Sequence, residues 1–232
     1  MRTIGLLGGM SWESTAHYYR LINQGVRQAL GELHSAEIVL RSLDFDPIAR
    51  YQEQDDWESA AAHLIDAATG VAQAGAECLL ICTNTMHKVA DEVAEAIPIP
   101  LLHIADATAK HLVSRGVGRV GLLGTAFTME QDFYKRRLRE GFALDVLTPE
   151  AADQATVHRV IYDELCQGKI RDDSKAAYLK IVDSLAARGA QAVILGCTEI
   201  GLLIQQADTP MRLVDTTEIH AAAAVEWALS KG

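Results

Sequence analysis

The chain of 232 residues is 49% apolar and 22% charged, a balance that supports a buried core and excludes intrinsic disorder. Its 21 Lys and Arg face 31 Asp and Glu, and the net charge of −10 argues against a broad nucleic-acid or anionic-membrane surface. No apolar run approaches the roughly 18 residues of a membrane span, and the stretch Met1-Arg2-Thr3-Ile4-Gly5-Leu6-Leu7 is too short for a signal peptide, so a cytoplasmic protein is expected.

Taken in chain order, short aliphatic runs alternate with long amphipathic ones. Strands are predicted at 3–7, 37–43 and 77–82, with helices near 12–30, 55–74 and 86–96. A strand at 101–104 leads into a helix at 106–116. Strands at 119–123 and 143–147 precede helices at 128–140 and 153–167. A helix at 172–188, strand 191–196, helix 199–205, strand 212–214 and helix 217–230 complete the chain. Asp55-x-x-Glu58 and Thr128-x-x-Gln131 have the spacing of capping boxes and predict two of the helix starts. Such alternation means an α/β fold with parallel sheets covered by helices on both faces.

The pattern occurs twice. Ile4-Gly5-Leu6-Leu7-Gly8 returns as Val120-Gly121-Leu122-Leu123-Gly124, 116 positions later, and Tyr18-x-Arg20 returns as Tyr134-x-Arg136 in the same register. Gly75-Ala76 and Gly189-Ala190 each open an apolar strand, now 114 positions apart. This second register sets Thr83 against Cys197 and Thr85 against Glu199. Two similar α/β units follow, expected at 1–105 plus 214–232 and at 106–213.

Ligands of open parallel sheets bind at the carboxyl ends of the strands. Four such loops arise from the repeat: Gly8-Gly9-Met10-Ser11, Thr83-Asn84-Thr85, the segment from Gly124 through Thr125 to Thr128, and Cys197-Thr198-Glu199. Free N–H groups and small hydroxyls there suit a carboxylate or phosphate. If the units face one another, Thr83 and Cys197 approach a shared cleft from opposite sides. Each loop also has a plainer reading. Thr-Asn-Thr makes a capping turn, Gly8-Gly9 a tight turn, and a Cys at a strand end a small core residue. There is no G-x-G-x-x-G and no Walker lysine. Cys78 and Cys82 lie about 13 Å apart on one strand, too far to bridge, and with Cys166 and Cys197 they make no metal-type spacing. Reduced thiols and no metal are expected. Cys82, one position off the register, is assigned to the core.

The motifs from Gly5 to Thr15, Asn84-Thr85-x-His87, Gly124-Thr125-x-x-Thr128 and Gly196-Cys197-Thr198-Glu199-Ile200 together resemble the aspartate/glutamate racemase family, in its aspartate-racemase branch, over essentially the whole chain. The resemblance implies two similar α/β domains with the active site in the cleft between them, no cofactor, a homodimer, and an acidic amino acid as substrate. A thiolate would remove the α-proton and a thiol on the opposite face would return one. The position directly before Asn-Thr, a Cys in the family, is Thr83 here. By the same carry-over Cys197 deprotonates the L-enantiomer and Thr83 protonates the D face. Met10, Gln52, Asn84, Thr85, Thr125, Thr198 and Glu199 are the implied substrate contacts, with Glu199 orienting either Cys197 or the substrate ammonium. Arg50, Lys88, Lys135 and Lys169 are candidates for the distal carboxylate, against a plainer role as exposed helix-face charges. His87 either lies near the cleft or starts a helix.

A thiol titrates near 8.5, and the helix predicted after Cys197 is expected to lower that further. An aliphatic hydroxyl behaves more like water, near 15.7. The gap of about seven pH units is on the order of 10 kcal/mol against an alkoxide, so Thr83 is a poor base but a competent donor to a basic carbanion. Two rival functions stay open at this level. One is a non-catalytic binder of acidic amino acids. The other is a related isomerase or decarboxylase using Cys197 alone.

Overall fold

Ile4–Gly8 forms β1 with every residue buried, as an unbroken apolar run does when both faces of its sheet are covered. The computed structural model describes residues 1–31 and 33–230; Glu32 and residues 231–232, the end of the expected first unit, lie outside the described residues. Helix α1 (Trp12–Leu30) follows, then β2 (Ile38–Ser42), α2 (Phe45–Glu53), α3 (Trp57–Gln73) and β3 (Cys78–Ile81). A 3-10 turn, Thr85–Val89, leads into α4 (Ala90–Ala96) and α5 (Ile104–Val113). The three strands run parallel in the order β2-β1-β3. Leu101 adds one parallel bridge to Leu79.

The second half repeats this order. Its elements are β4 (Arg119–Gly124), α6 (Ala126–Glu130), α7 (Asp132–Phe142), β5 (Asp145–Leu147), α8 (Ala151–Asp163), α9 (Asp172–Ala187) and β6 (Ala192–Gly196). Then come α10 (Ile200–Leu203), β7 (Leu213–Asp215) and α11 (Thr216–Leu229). The sheet order is β5-β4-β6-β7, all parallel. Ile4 pairs with Cys78 in the first sheet and Val120 with Ala192 in the second, so the strands align in the registers read from the repeat. Tyr18 and Tyr134 are both fully buried.

Contacts divide the chain into two compact units, Met1–Ile104 with the segment from His220 onward, and Ala105–Ile219. The return to the first unit begins inside α11 rather than at residue 214. The reason is that β7 hydrogen-bonds to β6, Val193 opposite Leu213, and so stays with the second sheet.

The repeated glycines have a packing cause. A Cβ on Gly5 would stand 2.6 Å from the Cys78 carbonyl oxygen and from Val71 Cγ1; one on Gly121 would stand 2.8 Å from Leu185 Cδ1. Glycine at this strand position lets α3 and α9 settle onto their sheets. We expect Gly5→Ala to cost about 1–3 kcal/mol by urea denaturation, because a backbone carbonyl blocks it. Gly121→Ala should cost less, since the Leu185 side chain can turn away; equal costs would contradict this packing. Gly75 and Gly189, with φ of 97° and 91°, end α3 and α9 in the left-handed region, where Ala76 N–H reaches Val71 O and Ala190 N–H reaches Leu185 O.

Several expectations need correction. The strand at 101–104 reduces to the single bridge at Leu101, because Ile104 already opens α5. Helix α2 was not anticipated, although Asp44 caps it and Pro47 lies in its first turn. Neither capping box forms. Asp55 turns left-handed (φ 56°) and Asp56 becomes the cap of α3, accepting from Ser59 N–H. Thr128 lies inside α6, whose cap is Thr125. Strand β5 starts at Asp145 rather than 143 because Ala143, left-handed, closes α7. The helix expected at 199–205 is the four-residue α10.

Asp215 caps the first turn of α11, accepting from Thr217 N–H at 2.7 Å and Glu218 N–H at 3.3 Å. Burial nevertheless pushes its carboxyl up to about 6. A raised folded value favours folding while the group is protonated, below about pH 4, and that favour is lost as pH rises through 6. Asp215→Asn keeps a capping oxygen without the charge. It should therefore stabilise the protein by up to about 3 kcal/mol at pH 8 and by almost nothing below pH 4, read from denaturation midpoints at the two pH values.

Candidate active site

The two units place their candidate residues at equivalent points. Leu7 pairs with Ile81 at the end of β3, and Leu123 with Leu195 near the end of β6. Thr83 lies two residues beyond Ile81, as Cys197 does beyond Leu195. Between Cys82 and His87, Thr83 alone is not buried; Cys82, Asn84, Thr85, Met86 and His87 all are. Cys197 and Thr198 are likewise half-buried, while Glu199 and Ile200 beyond them are buried.

In the first unit, the loop from Gly8 to Ser11 is shaped by two side chains from α1. Thr15 Oγ1 accepts from Gly9 N–H and donates to Ser11 O, each at 2.8 Å. Ser14 Oγ donates to the Cys82 carbonyl at 3.2 Å, tying α1 to the Thr83 loop. These hydroxyls explain why the Gly-Gly-Met-Ser motif continues into Ser14-Thr15. Met10 is 5% exposed and its side chain belongs to the core cluster of the first unit. Gln52, on α2, is buried, and its amide N–H donates to Met86 Sδ at 3.0 Å. Asn84 and Thr85 are buried where the 3-10 turn opens. His87 sits on that turn, and its Nδ1 lies 2.7 Å from the Thr83 carbonyl oxygen.

In the second unit, Thr125 Oγ1 accepts from Thr128 N–H at 3.4 Å, and His158 Nδ1 accepts from Ala126 N–H at 3.1 Å. Glu199 organises the other loop. One carboxylate oxygen accepts from Cys197 Sγ at 3.0 Å and from Thr198 Oγ1 at 2.7 Å. Thr198 and Glu199 therefore form one hydrogen-bonded group with the thiol.

The electrostatics reverse one expectation. Burial, followed by the charge of Glu199, raises the Cys197 thiol well above its ordinary value; a lowered one was expected from a helix N-terminus. The physical reason is that α10 has only four residues, and a carboxylate rather than a cation faces the sulfur. Cys197 rests as a protonated thiol. The other cysteines behave as expected. Cys78 and Cys82 are fully buried with thiols raised by burial, Cys78 to about 12. Cys166 packs against the core of the second unit, and all four are free.

The four candidate cations are engaged elsewhere. Arg50 pairs with Asp46, four residues earlier on α2. Lys88 lies 3.7 Å from Asp55 and 3.8 Å above the Trp57 ring, and burial lowers its ammonium despite the Asp55 charge. Lys135 donates to the Glu130 carbonyl and Lys169 to Gln167 Oε1. Ser14 and Thr15, which the first motif contains without a role, act in the loops through their hydroxyls, and His103, outside every motif, has its ring 4.4 Å from that of His87. No described helix is long and apolar enough to cross a membrane.

Comparison with known proteins identifies the family. Residues 7–224 match the family described as Asp/Glu/hydantoin racemase. A crystal structure from Yersinia pestis assigned as an Asp/Glu racemase is 51% identical, covers 99% of this chain and 100% of its own, and superposes with a TM-score of 0.94. An aspartate racemase homologue from Pyrococcus horikoshii is 34% identical over 99% of this chain and 100% of its own, with a TM-score of 0.87. A broad-specificity amino-acid racemase of Bacillus subtilis is 21% identical over 98% of both chains. The family match over nearly the whole length, on a chain built as two units of one α/β design, makes this chain a member of the Asp/Glu/hydantoin racemase family, whose members are isomerases.

Proposed function

We propose that the protein racemises aspartate, glutamate or both without a cofactor, with a preference for the L-enantiomers, using Cys197 as base and Thr83 as proton donor. The observation that carries this reading is the equivalence of the two positions. A thiol and a hydroxyl stand at matching points of duplicated units, each half-buried beside buried residues of its loop. Glu199 supplies what the raised thiol needs. Its carboxylate, 3.0 Å from the sulfur, is the acceptor for the thiol proton, and the ammonium of a bound amino acid offsets the charge then left on sulfur. Met10 through its backbone N–H, and Asn84, Thr85, Thr125 and Thr198 with theirs, hold the α-carboxylate and stabilise the enolate-like transition state; Gln52 contacts the substrate side chain.

The reaction has an equilibrium constant of one, so kcat/KM must match in the two directions and only kcat and KM can differ separately. Thr83 makes the return of a proton to the D face the slow event. In D₂O the enzyme should therefore place deuterium on the α-carbon of L-glutamate or L-aspartate faster than it forms the D-enantiomer. Proton NMR beside chiral chromatography measures both, and equal exchange of the two enantiomers would count against the assignment of faces. The protonated resting thiol also suits a decarboxylase that protonates one face of a carbanion. Assaying aspartate, glutamate, maleate and an arylmalonate separates these activities, and binding of an acidic amino acid without exchange would identify a non-catalytic binder.

A further inference from the structure

Three histidines of the first unit, His87, His103 and His220, are 3%, 8% and 0% exposed, and the proposed chemistry uses none of them. Hydrogen bonds determine where the protons of His87 and His220 sit. His87 Nδ1 faces the Thr83 carbonyl at 2.7 Å, and a carbonyl can only accept, so Nδ1 carries the hydrogen. Its Nε2 takes the N–H of Ile104 at 3.2 Å, and an N–H can only donate. The ring is thus a neutral bridge with both nitrogens in use, between the backbone of the acid/base loop and the first residue of α5. A second proton on it would set N–H against N–H.

The surroundings support the same state. His103 meets His87 edge-on, with the ring planes at 62°, and His220 lies 5.9 Å from it. His220 donates from Nε2 to the Leu102 carbonyl at 2.6 Å and accepts from the Tyr18 hydroxyl at 2.9 Å. Burial pushes His220 down to about 4, so it is neutral as well. His87 thus has two histidine rings against it and a hydrogen bond at each nitrogen.

We infer that His87 is a positioning residue: through the Thr83 carbonyl it sets where the Thr83 hydroxyl stands over the substrate α-carbon. This rests on the racemase reading above. The role differs from general scaffolding, because the bond falls on the backbone of the one residue assigned to the D face and leaves Cys197 untouched.

The test starts from L-aspartate or L-glutamate in D₂O, whichever the wild type converts faster, and reads two products. α-Deuterated L-amino acid needs Cys197 alone; the D-enantiomer needs Thr83 as well. Their ratio does not depend on how much enzyme is folded. In His87→Ala the ratio of D-product to deuterated L-product is expected to fall at least about tenfold, since an ångström of misplacement in a reacting group costs that much or more. His87→Asn, whose amide N–H stands in for Nδ1–H, should recover most of it. His87→Leu, closer in volume, serves if the alanine variant does not fold. In the wild type, ¹⁵N NMR should find His87 protonated on Nδ1 and not on Nε2. An unchanged ratio, a parallel loss of both products, or the opposite tautomer overturns the inference. Wild-type protein that forms no D-product overturns the racemase reading instead, and the two failures are therefore distinct.

Discussion

Cys197→Ser is expected to lower both α-deuteration of L-glutamate and formation of D-glutamate by at least about a thousandfold, the upper range of general acid–base contributions. The substitution changes little else. A serine hydroxyl still donates to the Glu199 carboxylate that now holds the thiol, and the loop after β6 keeps its hydrogen bonds. What is lost is acidity. The thiol, even raised by burial and by Glu199, has a carboxylate at 3.0 Å to take its proton; a hydroxyl starts about seven pH units higher. Proton NMR in D₂O measures the exchange, and circular dichroism confirms the fold. Exchange of L-glutamate surviving at more than a few per cent would remove Cys197 from the chemistry.

Thr83→Cys is expected to act in the opposite sense. It places a second thiol at the position equivalent to Cys197, and net racemisation should rise by at least about tenfold. The full difference in acidity corresponds to on the order of 10 kcal/mol, of which burial will return a large part, as it does for Cys78 and Cys82. The diagnostic change is in partition. In the wild type, deuterated L-product should outrun D-product; in the variant the two should approach equal rates, because each face then has a comparable base. His87 bonds the backbone of residue 83 and should hold cysteine where it held threonine. Chiral chromatography of both reactions checks this. A variant that exchanges L-glutamate normally and forms no more D-product than wild type would show that residue 83 does not limit the reaction.

Much of the fold was legible in the chain because parallel strands buried on both faces are spelled as unbroken apolar runs, and a duplicated unit spells them twice. Ile4–Gly8 and Val120–Gly124 needed no tertiary information, nor did the equivalence of Thr83 with Cys197, since a repeat register is a property of the sequence. Legibility failed where hydrogen bonds outweighed local pattern. Asp55-x-x-Glu58 has capping-box spacing, yet the chain turns at Asp55 and the neighbouring Asp56 makes the cap. Helix α2 was missed because its nine residues bury only Ile48 and Gln52, too few apolar positions to show a period.

What the sequence determined by itself, then, is the doubled α/β plan, the two loop ends and the chemical types standing there, because strand burial and spacing are encoded locally. The protonation of Cys197 was decided first by burial, which only tertiary structure provides: the helix expected at 199–205 was to favour the thiolate, and burial, with the Glu199 carboxylate two residues along the chain, favours the thiol instead. The same holds for His87. Its bond to Thr83 spans four residues and its bond to Ile104 seventeen, and no spacing rule indicates which nitrogen meets a carbonyl and which an amide. Residue types and registers follow from chain order, whereas proton positions follow from which polar atoms the folded chain brings within three ångströms of one another.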